Sequence, residues 1–182
     1  MISRCARAAV GPVIAVFGLS GWANGVPAQT LVTHRIPAML AMEAVEAAVA
    51  SCTKQGYGVT ATVIDADAQR IAMLRGDTAG VHTYEASWGK AYTAVGFAPL
   101  YKLDSGGEAA AYVAKQYSAT PLGQSGVLPF QPPAGMIFRG GGLTIKLGDE
   151  VIGAIGVGGA PTAKADEDCA RAGLGKIRDR LH

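Results

Sequence analysis

The stretch Gly140 to Pro161, GGGLTIKLGDEVIGAIGVGGAP, places the tightest constraint on how this chain can fold. Leu143–Leu147 and Val151–Val157 are apolar runs of strand length, and only Gly148-Asp149-Glu150 separates them. So short a link cannot carry a crossover, so the two strands pair antiparallel. The same logic applies upstream. Val59–Ile64 and Ile71–Leu74 flank DADAQR, a group of turn-forming residues. Met136–Phe138 adds a further short apolar run. Hairpins with helical patterns before, between and after them predict an α+β fold: an antiparallel β-sheet of about five strands with helices packed on it.

The helical patterns differ in clarity. In Ile36–Gln55, residues Leu40, Ala44, Val45, Ala48, Val49 and Cys52 form one apolar stripe, and Gly56 and Gly58 end it. A second helix carries Tyr84, Trp88, Ala91 and Val95 at helical spacing, which predicts that Trp88 enters the core. Glu108–Tyr117 is Ala-rich, and a last helix is expected from about Ala165 to Arg180. Met39, Met42, Met73 and Met136 lie in apolar patterns and read as core. The Pro/Gly-rich segment Thr120–Gly135 is long for a connection in a compact domain and reads as a binding surface or subunit contact.

The first residues read as a targeting segment. Arg4 and Arg7 precede the apolar run Ala8–Leu19, and Val26-Pro27-Ala28 has the small-residue pattern of a secretory cleavage site. The run is shorter than the ~20 residues that a membrane span needs. Residues 1–28 are therefore expected to be a removed signal peptide, with cleavage after Ala23 as the alternative. Residues 29–182 then form a single domain, periplasmic or secreted and free of the membrane. With Arg4 and Arg7 gone, 14 of the 16 basic residues remain against 14 acidic ones, which gives no basic face for nucleic acid. Loss of Cys5 leaves Cys52 and Cys169, and an even pair in an exported chain points to a disulfide. The chain has no nucleophile elbow of the Gly-x-Ser-x-Gly type and no Cys/His cluster of the zinc type.

Two segments carry a family resemblance. VTATVIDADAQRIAMLRGDTA followed by WGKAYTA, and RGGGLTIKLGDE running into VIGAIGVGGAP, resemble the GlcG/HbpS family of haem-binding and haem-degrading-type proteins. The resemblance spans about residues 36–180. It implies a profilin-like fold, assembly into a homo-oligomer, and haem or a related tetrapyrrole as ligand. In such a fold the two terminal helices can lie side by side, which would bring Cys52 and Cys169 together. The chain departs from the family pattern at Thr144, where proline is common, and at Gly158, where serine is common.

Candidate ligand-binding residues lie around one corner. His82 is a candidate ligand for haem iron. Residues 82, 86 and 90 share a helical face, so His82 and Lys90 can flank a pocket in which Ala86 leaves room. Thr83 is a weaker oxygen-ligand candidate. Arg75, Asp77 and Lys90 either pair with one another or hold a carboxylate such as a haem propionate. GVGGAPT leads into a helix start and could bind an anion; close helix–sheet packing is the plainer reading of its small residues. Two alternatives remain open. One is an enzyme acting on a small polar or carboxylate metabolite, with His82 as acid or base. The other is a structural or assembly module with no ligand.

Overall fold

The computed structural model describes residues 31–118 and 131–182, and Thr33–His182 form one compact unit. The expected signal peptide, and all but the last residues of Thr120–Gly135, lie outside the described residues. In chain order the elements are α1 (Ala38–Thr53), β1 (Thr60–Asp65), β2 (Arg70–Arg75), α2 (Thr83–Gly96), α3 (Gly106–Tyr117), β3 (Gly142–Leu147), β4 (Glu150–Gly158) and α4 (Ala163–Ile177). Short 3-10 turns follow α2 at Ala98–Tyr101 and α4 at Arg178–Arg180.

The α+β reading holds. The sheet has the order β2-β1-β4-β3, with every pair antiparallel, so the two hairpins lie side by side through β1 and β4. Asp65 closes the first hairpin by accepting hydrogen bonds from the Asp67 and Gln69 amides at 3.0 and 2.9 Å. Met136–Phe138, expected as a strand, does not join the sheet. Its backbone follows α2 instead: the Ile137 amide donates to Thr93 Oγ1 at 2.9 Å and to the Gly89 carbonyl at 3.2 Å. These partners satisfy a polar backbone group that a sheet edge would otherwise satisfy.

Helices cover both faces of the sheet. One face is branched and aliphatic. Val63, Ile145, Ile155 and Val157 meet the buried stripe of α1 (Ala41, Ala44, Val45, Ala48, Val49, Cys52) and the Cys169/Ala170/Ile177 side of α4. The other face is small and partly polar. Across the β1–β4 ladder, Thr60 sits opposite Gly158, Thr62 opposite Gly156 and Ile64 opposite Ala154. On this face α2 comes so close that a side chain at Gly156 would run into the Ser87 carbonyl and approach Ala91.

That approach reverses the expected orientation of α2. Its buried residues are Thr83, Ser87, Gly89, Lys90, Ala91, Thr93 and Ala94, whereas Tyr84 is exposed and Trp88 and Val95 are half-buried. Two hydroxyl pairs fasten it to β1, Thr60–Thr83 and Thr62–Ser87, each 2.7 Å between oxygens. Thr83 and Ser87 spend their own protons on the Gly80 and Tyr84 carbonyls, so the β1 threonines are the donors. Trp88 stacks on Tyr92 at the sheet margin, and its indole N–H reaches the Ala68 carbonyl at 3.1 Å. Met39 and Met42 are exposed on α1, because the stripe that turns inward begins at Ala41.

Cys52 and Cys169 form a disulfide between α1 and α4, with a Cα–Cα distance of 5.6 Å. Arg180 adds a second clasp with two hydrogen bonds to the Glu43 carboxylate, and these hold the Glu43 pKa below the usual carboxylate value. The contribution of this clasp is present above the unfolded carboxylate pKa and fades as pH falls through the lowered folded value.

The sequence separation of 117 between the cysteines gives the bridge a large effect on the unfolded chain. In the chain-entropy model a loop of this length is worth about 4–5 kcal/mol, less any strain. Urea unfolding with and without reductant should show a loss of that order. Gly156→Ala should lower stability by about 1–3 kcal/mol, the usual cost of overpacking, because the atom it meets is backbone. The same urea titration checks it.

Candidate functional site

A cleft of about 260 Å³ opens where α2 begins, bounded by His82, Ala86 and Lys90 on one side. Ile137 and Arg139 form a second wall, and Gly158, Gly159, Ala160 and Asp166 a third. Its position follows from the local sequence. Gly159 has φ +127°, a left-handed conformation that turns the chain out of β4. Thr162 then caps α4 by accepting from the Ala165 amide at 3.1 Å.

An ion pair forms the floor. Lys90 Nζ lies 2.5 Å from Asp166 Oδ2, and both side chains are about 5 % exposed. The other Asp166 oxygen accepts from the Ala160 amide at 2.9 Å. The amide of the GVGGAPT loop is thus bonded to a carboxylate of the chain itself. Gly141, with φ +115°, lies directly against this pair: a side chain there would come within 2.8 Å of Asp166 Cβ and 3.0 Å of Lys90 Cδ. The glycine run at 140–142 lets the start of β3 pass over the Lys90 stem. The bulge in the β3–β4 ladder is elsewhere, between Ile145 and Lys146.

His82 stands at the rim. Its backbone already has helical angles, its carbonyl accepts from the Ala86 amide, and its side chain is exposed. A side chain built at Gly80 would be 3.0 Å from Nδ1 and 3.9 Å from Nε2. The Nδ1 edge therefore rests on the loop, and Nε2 is the nitrogen turned away from it. Arg139 is exposed, and among the described residues neither its guanidinium nor the His82 ring has a hydrogen-bond or ion-pair partner.

The other candidates lie elsewhere. Arg75 and Asp77 line a separate cleft of about 320 Å³ beside Val49 and Leu74. Arg75 Nε and Nη2 both donate to the Ala79 carbonyl, at 2.9 and 2.5 Å. Arg75 and Asp77 thus form no common site with Lys90, which is bound to Asp166. Thr83 is buried, with its hydroxyl between Thr60 and Gly80. Asp166 and Arg139 are not evident from sequence. Asp166 lies in the charged run KADED, which reads as a solvated face, and Arg139 precedes glycines that read as a strand irregularity. The one available signal is Thr162, a helix cap that places Asp166 in the first turn. Among the described residues no group of three or more His, Cys, Asp or Glu could hold a metal ion, and no helix is long and apolar enough to cross a membrane.

A small antiparallel sheet enclosed by helices on both faces, with a cleft at the start of one helix, defines a small-ligand-binding class of α+β domain. The family model described as "Haem degrading protein HbpS-like" matches residues 36–175, and the chain belongs to that family. A double mutant of Streptomyces reticuli HbpS is similar in structure, with a TM-score of 0.64 and 27% identity, covering 92% of this chain and 97% of that one. Klebsiella pneumoniae protein ORFY has a TM-score of 0.67 and 23% identity over 82% of this chain and 95% of its own. The PduOC protein, solved as a haem complex, has a TM-score of 0.60 and 21% identity over 80% of this chain and 96% of its own. No curated protein matches the chain.

Removing one partner of a buried ion pair leaves an uncompensated charge in a low-dielectric site, which typically costs about 3–5 kcal/mol. Lys90→Met and Asp166→Leu should each lower stability by that order. The double variant should lose much less than the sum, as read in a double-mutant cycle of chemical denaturation.

Proposed function

We propose that this protein binds haem, or a related tetrapyrrole, at the His82 cleft, as a binding protein rather than a catalyst. The observation that carries the reading is an imidazole with a free, outward Nε2 at the mouth of a cleft in a chain of the HbpS-like family. The residues present fit the group. Neutral imidazole nitrogen is a haem-iron ligand. Ala86, Ile137 and Ala160 supply apolar surface, and Gly158 and Gly159 present bare backbone on which a flat ring can lie. The cleft is smaller than the ~300–1,000 Å³ that encloses a drug-sized ligand, so one edge of the macrocycle would stay outside.

When bound, haem supplies an iron centre with an open axial position and a strong Soret band. The protein's part is to present Nε2, to offer apolar contact along one edge, and to keep Lys90 out of the reaction through Asp166. In the enzyme alternative His82 would be the proton carrier. A general base is ordinarily oriented by a third group, and among the described residues His82 has none, which favours binding.

The same reading includes export. The basic start, apolar run and small-residue site of residues 1–28 support a removed signal peptide, and the Cys52–Cys169 bridge suits an oxidising compartment. It also includes the homo-oligomer that the family resemblance implies.

Titration with hemin should give a saturable Soret shift at one site per chain. His82→Ala should weaken binding about tenfold or more and change the band position. It should leave the unfolding midpoint nearly unchanged, because the His82 side chain makes no cap hydrogen bond. An unaltered spectrum and affinity in His82→Ala would reject the site.

A further inference from the structure

We infer that Arg139 is the specificity-determining residue of this cleft and that it selects ligands bearing a carboxylate. The inference rests on the His82 cleft being the binding site, and it assigns the part of the ligand remote from the imidazole. Charge decides the matter first. Lys90 is the other cation in the cleft, and its charge is neutralised by Asp166 at 2.5 Å. Of the two charged groups that could draw in an anion, the Arg139 guanidinium is therefore the one left unmatched.

Position decides it next. The backbone on either side of Arg139 is held by packing. The Ile137 amide is bonded to Thr93 Oγ1 and the Gly89 carbonyl, and the Arg139 amide is bonded to the Ile137 carbonyl at 2.9 Å. A side chain at Gly106 would come within 2.9 Å of the Arg139 carbonyl, and one at Gly140 within 3.2 Å of the Ala163 carbonyl. Arg139 thus leaves a fixed backbone and carries a mobile head at the rim. Guanidinium presents a planar fork of N–H donors that matches the two oxygens of a carboxylate, and it keeps its charge at any physiological pH. The chemistry it recognises is shared by a tetrapyrrole's propionate and by a free organic acid.

The experiment compares two sources of that chemistry in wild-type protein, Arg139→Ala and Arg139→Lys. Arg139 is exposed, and all three should melt alike. In the first arm, hemin and hemin dimethyl ester are titrated. Wild type should prefer hemin about tenfold, Arg139→Ala should lose the preference with the Soret position unchanged, and Arg139→Lys should recover part of it. In the second arm, succinate is titrated while the Arg139 Nε–H resonance is followed by NMR, with the His82 ring resonances as a site marker in all three proteins. A succinate-induced His82 shift that disappears in Arg139→Ala supports the inference for a free acid. If hemin gives no Soret change in wild type but this second result is obtained, the haem reading fails and the carboxylate assignment stands. The inference is overturned if neither arm depends on Arg139, that is, if the ester preference is absent or survives in Arg139→Ala and succinate moves no resonance through Arg139.

Discussion

The pair between Lys90 and Asp166 is the contact on which the functional end of the molecule depends. Lys90 belongs to the helix on the small-residue face of the sheet, and Asp166 to the first turn of a helix on the aliphatic face. Their meeting joins the two helical layers where β4 ends and β3 begins. One Asp166 oxygen holds the ammonium and the other holds the Ala160 amide, so a single carboxylate fixes a helix, a loop and the floor of the cleft. Burying two charges is costly unless geometry and further hydrogen bonds compensate. Here the extra backbone bond is present, and the glycine run at 140–142 excludes water by lying directly on the pair.

The close seating of α2 is the second determinant. Most sheet–helix contacts separate backbones by the bulk of branched side chains. Here Thr60, Thr62, Ala154, Gly156 and Gly158 leave almost none, and the helix answers with Thr83, Ser87 and Ala91. Attraction at such a contact comes from many short backbone approaches and from hydroxyl pairs rather than from large apolar side chains. Bringing the helix this near also carries His82 and Ala86 to the rim of the same sheet, beside Gly158. A serine at position 158, common in the family, would intrude on Ala86 and the Ser87 amide, both 3.0–3.1 Å from a side chain built there.

Much of this was legible in the sequence. Both hairpins, the stripe of α1, the α+β class and the cysteine pairing follow from periodicity, turn residues and parity, signals that act locally. The face of α2 was not legible, because hydrophobic periodicity weights Tyr84, Trp88 and Val95 above Thr, Ser and Ala. The partner surface that reverses that order lies over fifty residues downstream. Met136–Phe138 has strand composition, but it has no free edge to join, since Asp104 and Ser105 already bond along β3. At the cleft, the shared helical face of His82 and Lys90 was readable from spacing alone. Asp166 and Arg139 were not, because a buried acid inside a charged run and a functional arginine beside glycines look the same as surface residues until the chain is folded.

The bridge between Cys52 and Cys169 makes a covalent ring of most of the domain. All four strands, α2 and α3 lie inside that ring, and the tails outside it are the start of α1 with what precedes it and the end of α4. A chain hydrolysed once at any peptide bond within the ring remains a single molecule, with both new ends tethered through sulfur. The fragments cannot diffuse apart, so the severed protein faces only the short-range cost of re-docking. Survival after such an accident is therefore a property of the cross-link's topology, and it ends when the sulfurs are reduced.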